Sequence, residues 1–192
     1  FAATDDAAAT STTAGHHDNT KCIELCSTAG TVVAAADFVS MDADGFTINM
    51  TTAATAYIVN YLALGGADLT GYKTGEFNEN TATGNQSVTG LGFQPEAVLF
   101  FECRSTTTAP PTSGAASYGV RLGWATSSSE EFAIATRDRN GQATMEAKRY
   151  QRTNKIFASL DSTAGGLDSE SSFVSMDADG FTVNIDDAAG SS

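Results

Sequence analysis

Large apolar residues alternate with small or polar ones along several short stretches of the chain. In the clearest stretch, Gly119, Arg121 and Gly123 separate the large residues, which are Tyr118, Val120, Leu122 and Trp124. Because successive side chains of a strand point to opposite faces, this period of two predicts a strand. We expect its large residues to face a core and the intervening ones to face solvent.

Other stretches extend the same prediction. Residues 96–104 are apolar on both faces and follow Pro95, which is typical of a central strand covered on both sides. Residues 56–64 have the same character. Residues 131–138 and 142–150 flank Asn140-Gly141, a strong hairpin signal. Further short strands are predicted at 21–26, 38–41, 46–50, 88–93, 156–160, 173–176 and 181–185. About a dozen short strands separated by Gly, Asn and Asp predict an all-β fold, an antiparallel β-sandwich resembling a jelly roll.

One stretch of the chain occurs twice. The ten residues from Phe38 to Thr47 recur without a change from Phe173 to Thr182, an offset of 135 residues. The match extends back to Ser27 and Ser162, and forward to Asn49 and Asn184. A repeat of this length exceeds that of solenoid repeats and indicates tandem domains.

The repeat predicts the domain organisation. Residues 1–52 form a partial module, the C-terminal half of a repeat, and residues 53–192 form a full β-sandwich module. The second copy ends where a counterpart of residues 56–64 should follow, so we expect strand 56–64 to fill that place. The chain begins with Phe1 and has no signal-peptide pattern, so we expect it to be cut from something longer.

Charge and hydropathy exclude some partners. The chain has a net charge of −13 with only 10 Lys and Arg residues, whereas a phosphate-binding surface needs clustered cations. No apolar run approaches the ~20 residues that span a bilayer. We therefore expect a soluble protein that binds neither nucleic acid nor membrane.

Two acidic turns invite a calcium interpretation. Asp42 and Asp44 precede Gly45 in the first copy, and Asp177 and Asp179 precede Gly180 in the second. Calcium prefers several carboxylate oxygens in one loop, but both copies lack the remaining EF-hand ligands. The favoured interpretation is a hairpin turn in which the Asp side chains accept hydrogen bonds from backbone amides, with calcium as the alternative and otherwise no cofactor.

A second candidate metal site combines His16, His17 and Asp18 with Cys22 and Cys26. Imidazole and thiolate are zinc ligands, and residues 22 and 26 of one strand would share a face. The second copy places apolar residues where the cysteines stand. Core positions are therefore favoured over zinc.

No catalytic motif accompanies these residues. The chain has two histidines, which are adjacent, and no nucleophile elbow, phosphate-binding loop or dinucleotide fingerprint. A pair of carboxylates on a jelly roll, as in carbohydrate-active enzymes, is the one catalytic arrangement left open. We predict that the protein is not an enzyme.

Two segments resemble known repeat modules. They run from Tyr57 to Gly66 and from Thr83 to Phe101, which includes Gly92-Phe93-Gln94-Pro95 followed by an apolar strand. Together with the Asp-Ala-Asp-Gly-Phe-Thr turn, they resemble repeat modules of tailed-phage virion structural proteins, such as tail-fibre and decoration proteins. The resemblance implies a virion or surface role and no catalytic residue.

We therefore expect a structural protein of a virion or filament. It would associate with itself or with other virion proteins, and Tyr57, Val59, Tyr61 and Leu62 are the candidate assembly residues. A module without its last strand exposes unpaired backbone groups, which another chain can cover by strand addition. The alternative is an extracellular adhesin or cell-surface module that binds glycan or calcium, with Trp124, Tyr72 or the Asp turns as ligand contacts.

Overall fold

A computed structural model of the chain describes residues 2–5, 12–15, 18, 20–27, 31–53, 58–102, 118–139, 141, 143, 146–160 and 166–189. These residues contain strands and irregular segments but no helix, so the all-β prediction is confirmed. Accordingly, none of them forms a helix long and apolar enough to cross a membrane. The strands are β1 Ala2–Asp5, β2 Thr12–Gly15, β3 Ile23–Cys26, β4 Val32–Asp42, β5 Gly45–Ala53, β6 Gly84–Thr89, β7 Val98–Glu102, β8 Tyr118–Ser127, β9 Glu130–Asp138, β10 Ala147–Arg152, β11 Phe157–Leu160, β12 Leu167–Asp177 and β13 Gly180–Asp187.

The strands form four sheets. Their orders are β1-β2, β3-β4-β5, β10-β9-β8-β7 and β11-β12-β13-β6. The described residues also divide into two compact units. The first unit draws on Phe1–Ile58, Glu102–Val120 and Thr136–Lys148, and the second on Val59–Phe101, Arg121–Ala135 and Arg149–Ser192.

The second unit is a β-sandwich. Its core takes Phe100 from β7 and Ala125 from β8, and from the facing sheet it takes Phe157, Phe173, Phe181, Val183 and Ile185. The phenylalanine rings contact one another edge to face, with centroids 5.0 Å apart for Phe100 and Phe157 and 5.6 Å apart for Phe100 and Phe181. Side chains of both sheets thus interdigitate, as a sandwich requires.

The predicted orientation of strand 118–124 is wrong. Gly119, Arg121 and Gly123 lie on the buried face of β8, whereas Val120 and Trp124 are partly exposed, Trp124 to 37%. A Cβ at Gly123 would overlap the carbonyl oxygen of Ile156. The small residue therefore lies inward because the backbone of the segment leading into β11 approaches closely there.

Two further strand predictions are also wrong. Strand β7 lies at the edge of its sheet, and its Leu99 and Phe101 are exposed, Phe101 to 76%. Residues 58–64 form no strand, so they do not close the second module as predicted, and the strand that pairs with the edge of β13 is β6. Residues 54–57 lie outside the described residues.

The hairpin prediction around Asn140-Gly141 holds only in outline. Strands β9 and β10 are neighbours, and Gly141 has a positive φ of 73°. However, β9 ends at Asp138 and β10 begins at Ala147, so the connection is longer than a two-residue turn. The backbone N–H of Arg139 donates to the carbonyl of Glu146 within that connection.

Candidate assembly surfaces

The two repeated stretches form hairpins with the same pairing register. Strands β4 and β5 form the first hairpin, and β12 and β13 form the second hairpin. The first hairpin pairs Asp42 with Gly45 and Phe38 with Ile48, and the second pairs Asp177 with Gly180 and Phe173 with Val183. Both have register shifts at equivalent places, between Phe38 and Ser40 and between Phe173 and Ser175. The prediction that the repeats share one extended structure is confirmed.

The equivalence continues toward the N-terminus with an offset of 134. Strand β3 pairs Ile23 with Ala36, as β11 pairs Phe157 with Ser171. The N–H of Cys22 donates to Ala36 at 3.0 Å, and that of Ile156 donates to Ser171 at 2.9 Å. Lys21 and Lys155 also correspond, and each forms an ion pair, with Asp37 and Asp186 respectively. The first copy therefore matches the C-terminal half of the second module beyond the identical letters.

The turn carboxylates are used in the same way in both hairpins. Asp42 accepts from Ser40 at 2.8 Å and from Thr47 at 2.6 Å, and Asp177 accepts from Ser175 and Thr182, both at 2.7 Å. These hydroxyl donors, first Thr47 and then Ser40, lower the pKa of Asp42. Thr182 and then Ser175 lower that of Asp177. The donors are side-chain hydroxyls, whereas the sequence interpretation expected backbone amides.

The other carboxylate of the second turn, that of Asp179, binds backbone amides. Asp179 accepts from the N–H of Gly90 at 3.0 Å and from that of Gly92 at 2.6 Å. Its own carbonyl accepts from Leu91, and Gln94 donates to the carbonyl of Met176. Gly90 and Gly92 both have positive φ, which lets the chain after β6 fold over the turn. Sequence reasoning missed this contact, although the two glycines in Gly90-Leu91-Gly92 were its signal.

Strand β6 completes the edge of the second hairpin. It pairs along β13 from Gly180↔Thr89 to Ile185↔Gly84. The hydroxyls of Ser87 and Thr182 are 2.9 Å apart, and a Cβ at Gly180 would overlap the carbonyl oxygen of Val88. The second hairpin is thus covered along its edge, at its turn and on its apolar face.

The first hairpin lacks these covers among the described residues. Strand β5 is the edge of its three-stranded sheet. Phe38 is 49% exposed, whereas its counterpart Phe173 is 3% exposed, and Met41 and Met50 are exposed as well. A Cβ at Gly45 would meet no described atom within 4 Å. The identical sequence therefore has exposed apolar side chains in the first hairpin, whereas in the second hairpin the counterpart of Phe38 is buried.

The predicted assembly segment is also exposed. Val59, Tyr61 and Leu62 lie in an irregular stretch, exposed to 50%, 72% and 71%, and Ile58 and Leu64 beside them are exposed as well. Tyr57 lies outside the described residues. Leu99, Phe101 and Trp124 on the outer face of the sandwich are exposed as well.

The predicted metal sites are not assembled in the described residues, where no group of three or more His, Cys, Asp or Glu side chains could hold an ion. Asp42 and Asp177 bind hydroxyls, and Asp179 binds amides. His16 and His17 lie outside the described residues. Cys22 precedes β3 and is exposed, whereas Cys26 is buried at the end of β3, so the two cysteines do not lie on one strand as the zinc interpretation assumed. Burial raises the pKa of the Cys26 thiol.

Two carboxylates in the sandwich serve its structure. Glu131 is buried and accepts from the backbone N–H of Phe173 at 2.6 Å. Burial raises its pKa, and the hydrogen bond from Phe173 opposes that shift. Glu79 accepts from Arg121 at 3.2 Å and from Ser171 at 3.1 Å. Glu131 thus links β9 to β12 of the facing sheet, and Glu79 links the irregular segment before β6 to β8 and β12. Such contacts supply the hydrogen-bond partners that buried polar groups need.

The comparisons with known proteins give no family. No protein-family model matches the chain, and no curated protein or solved structure shows significant similarity to it. The functional interpretation therefore rests on the residues themselves.

Proposed function

We propose that this protein is a non-catalytic structural subunit of a virion or filament, which acts through repeated β modules and contacts between subunits. One observation carries the proposal. The chain contains the same hairpin twice in the same register, and one copy is covered while the other is exposed. Edge strands and apolar faces of this kind are sites of association between chains.

Charge and motif support the same function. In the sandwich, Arg121 and Lys155 are paired with Glu79 and Asp186, and the net charge is strongly negative. Such a surface does not favour nucleic acid. The resemblance of residues 57–66 and 83–101 to tailed-phage virion modules supports a virion or other extracellular surface as the location.

The test is the size and shape of the purified chain. Light scattering after size exclusion should show association that increases with concentration, and electron micrographs should show regular assemblies. Deleting residues 1–50 should abolish association and leave the second unit folded, as reported by fluorescence of its single tryptophan, Trp124. A compact monomer at every concentration would overturn the proposal.

A second candidate is an adhesin that binds glycan. Tyr72 is 82% exposed and Trp124 is partly exposed, and exposed aromatic rings are typical contacts for sugars. Glycan-array binding that is lost in Tyr72→Ala or Trp124→Ala, in a chain that remains monomeric, would favour this candidate. A calcium-dependent rise in melting temperature would favour its calcium-binding form.

A further inference from the structure

We infer that the outer edge of β5 is an acceptor for a strand with the sequence of β6 and its following Gly90-Leu91-Gly92, supplied by a copy of the module in which that segment is not paired with its own β13. The inference rests on the proposed assembly function and names its contact. The second hairpin binds β6 along β13, and the first hairpin has an equivalent edge at β5 without such a strand among the described residues.

The acceptor edges are chemically equivalent. Opposite β6, the second hairpin presents Gly180, Phe181, Thr182, Val183, Asn184 and Ile185. The first hairpin presents Gly45, Phe46, Thr47, Ile48, Asn49 and Met50 at the same register positions. The two differences are exchanges between apolar residues of similar size, which cores tolerate. A strand that fits one edge therefore fits the other.

The turn is equivalent too. Asp44 stands where Asp179 accepts from Gly90 and Gly92. Thr47 stands where Thr182 contacts Ser87 and, like Thr182, it also donates to the turn Asp. The first hairpin thus holds Asp44 and Thr47 at the positions of the two side chains, Asp179 and Thr182, that contact the β6 segment through hydrogen bonds in the second.

Gly45 provides an independent argument. Gly180 is needed because the carbonyl of Val88 approaches it, and no larger residue would fit. At Gly45 the same residue occurs, yet its φ is not positive and no described atom lies within 4 Å of a Cβ placed there. Nothing in the described part of the chain therefore requires glycine at position 45. Glycine would be required there if a partner strand brought its backbone as close to Gly45 as Val88 comes to Gly180.

The experiment uses the full chain and a labelled peptide of residues 83–95. The peptide should bind at one site per chain and slow amide exchange at Gly45–Met50. Gly45→Ala should leave the melting temperature unchanged and weaken binding at least tenfold, because its Cβ would meet the peptide backbone. Asp44→Ala should weaken binding less, and a scrambled peptide should not bind.

Absence of binding to the wild-type chain at millimolar peptide would overturn the inference, as would equal binding to wild type and Gly45→Ala. The proposed function fails separately. If the chain assembles but the peptide does not bind, the acceptor edge is wrong and assembly uses another surface. If the peptide binds but the chain is monomeric at all concentrations, the edge is correct and the assembly function is wrong.

Discussion

The first and second hairpins share a sequence and a register but differ in environment. Ten identical residues give the same pairing, the same register shift and the same hydroxyl contacts to Asp42 and Asp177. Burial differs, because β7 and β8 face the second hairpin and β6 lies along its edge, whereas β5 of the first hairpin is the edge of its sheet in the described part of the chain. Local sequence thus determines the shape of this hairpin, whereas its stability depends on what covers it.

The phenylalanines should show the largest difference between the hairpins. Phe173→Ala removes a ring from the core and should destabilise the second unit by about 3–5 kcal/mol. Phe38→Ala, at the same place in the half-exposed copy, should cost less than about 1 kcal/mol. Urea unfolding followed by Trp124 fluorescence measures the first, and amide exchange across Val32–Ala53 measures the second. Equal costs would show that both hairpins are equally covered.

The glycines should show the next largest effect. Gly180→Ala forces a Cβ into the carbonyl of Val88 at a φ of 155°, which should cost about 2–4 kcal/mol. Gly45→Ala should lie within about 0.5 kcal/mol of wild type. Thermal unfolding of the two variants measures both. A marked loss in Gly45→Ala would mean that its Cβ meets a neighbour within the chain.

Substituting Asp179 and its counterpart Asp44 should give a smaller difference in stability. Asp179→Asn weakens the contacts to Gly90 and Gly92 and should destabilise the second unit by on the order of 1 kcal/mol. Asp44 makes no hydrogen bond to another residue of the described part of the chain, so Asp44→Asn should leave stability unchanged. Faster amide exchange at residues 90–92 in Asp179→Asn alone would locate the effect. The prediction fails if the two variants unfold alike.

The smallest effect is a dependence on pH. The pKa of Asp177 is held below its ordinary value of 3.8 by Thr182 and Ser175, so its ionised form is favoured in the folded state. Its contribution to stability is therefore full above about pH 4 and is lost as pH falls through the folded pKa. Asp177→Asn should be less stable than wild type at pH 7, and the difference should shrink toward pH 3.

Asp42→Asn is the matched control for that titration. It should change amide exchange in the first hairpin with the same pH trend, because Thr47 and Ser40 lower the pKa of Asp42. It should not move the unfolding transition reported by Trp124. A difference between Asp177→Asn and wild type that grows toward acid pH would contradict the assigned hydrogen bonds.

Sequence alone gave the fold class and the hairpins, because a period of two and Asp-Gly turns are local signals. It did not give the direction of β8, since alternation predicts two faces without saying which one packs. There the close approach of Ile156 places Gly123 inward and leaves Trp124 partly outside. Sequence alone also did not give the edge position of β7 or the pairing of β6 with β13. Both depend on contacts between segments distant in the sequence, which local patterns do not contain.

The connection before each hairpin has a practical consequence. The chain runs from Cys26 to Val32 in the first copy and from Leu160 to Leu167 in the second, one residue longer. Both copies have the same register shift beside the connection and the same pairing beyond it, so the extra residue of the second copy lies within the connection itself. The two copies therefore differ in the length of this connection while their strands pair alike. An epitope tag or a fluorophore-bearing insertion placed between Leu160 and Leu167 should accordingly be accommodated without disturbing the sandwich.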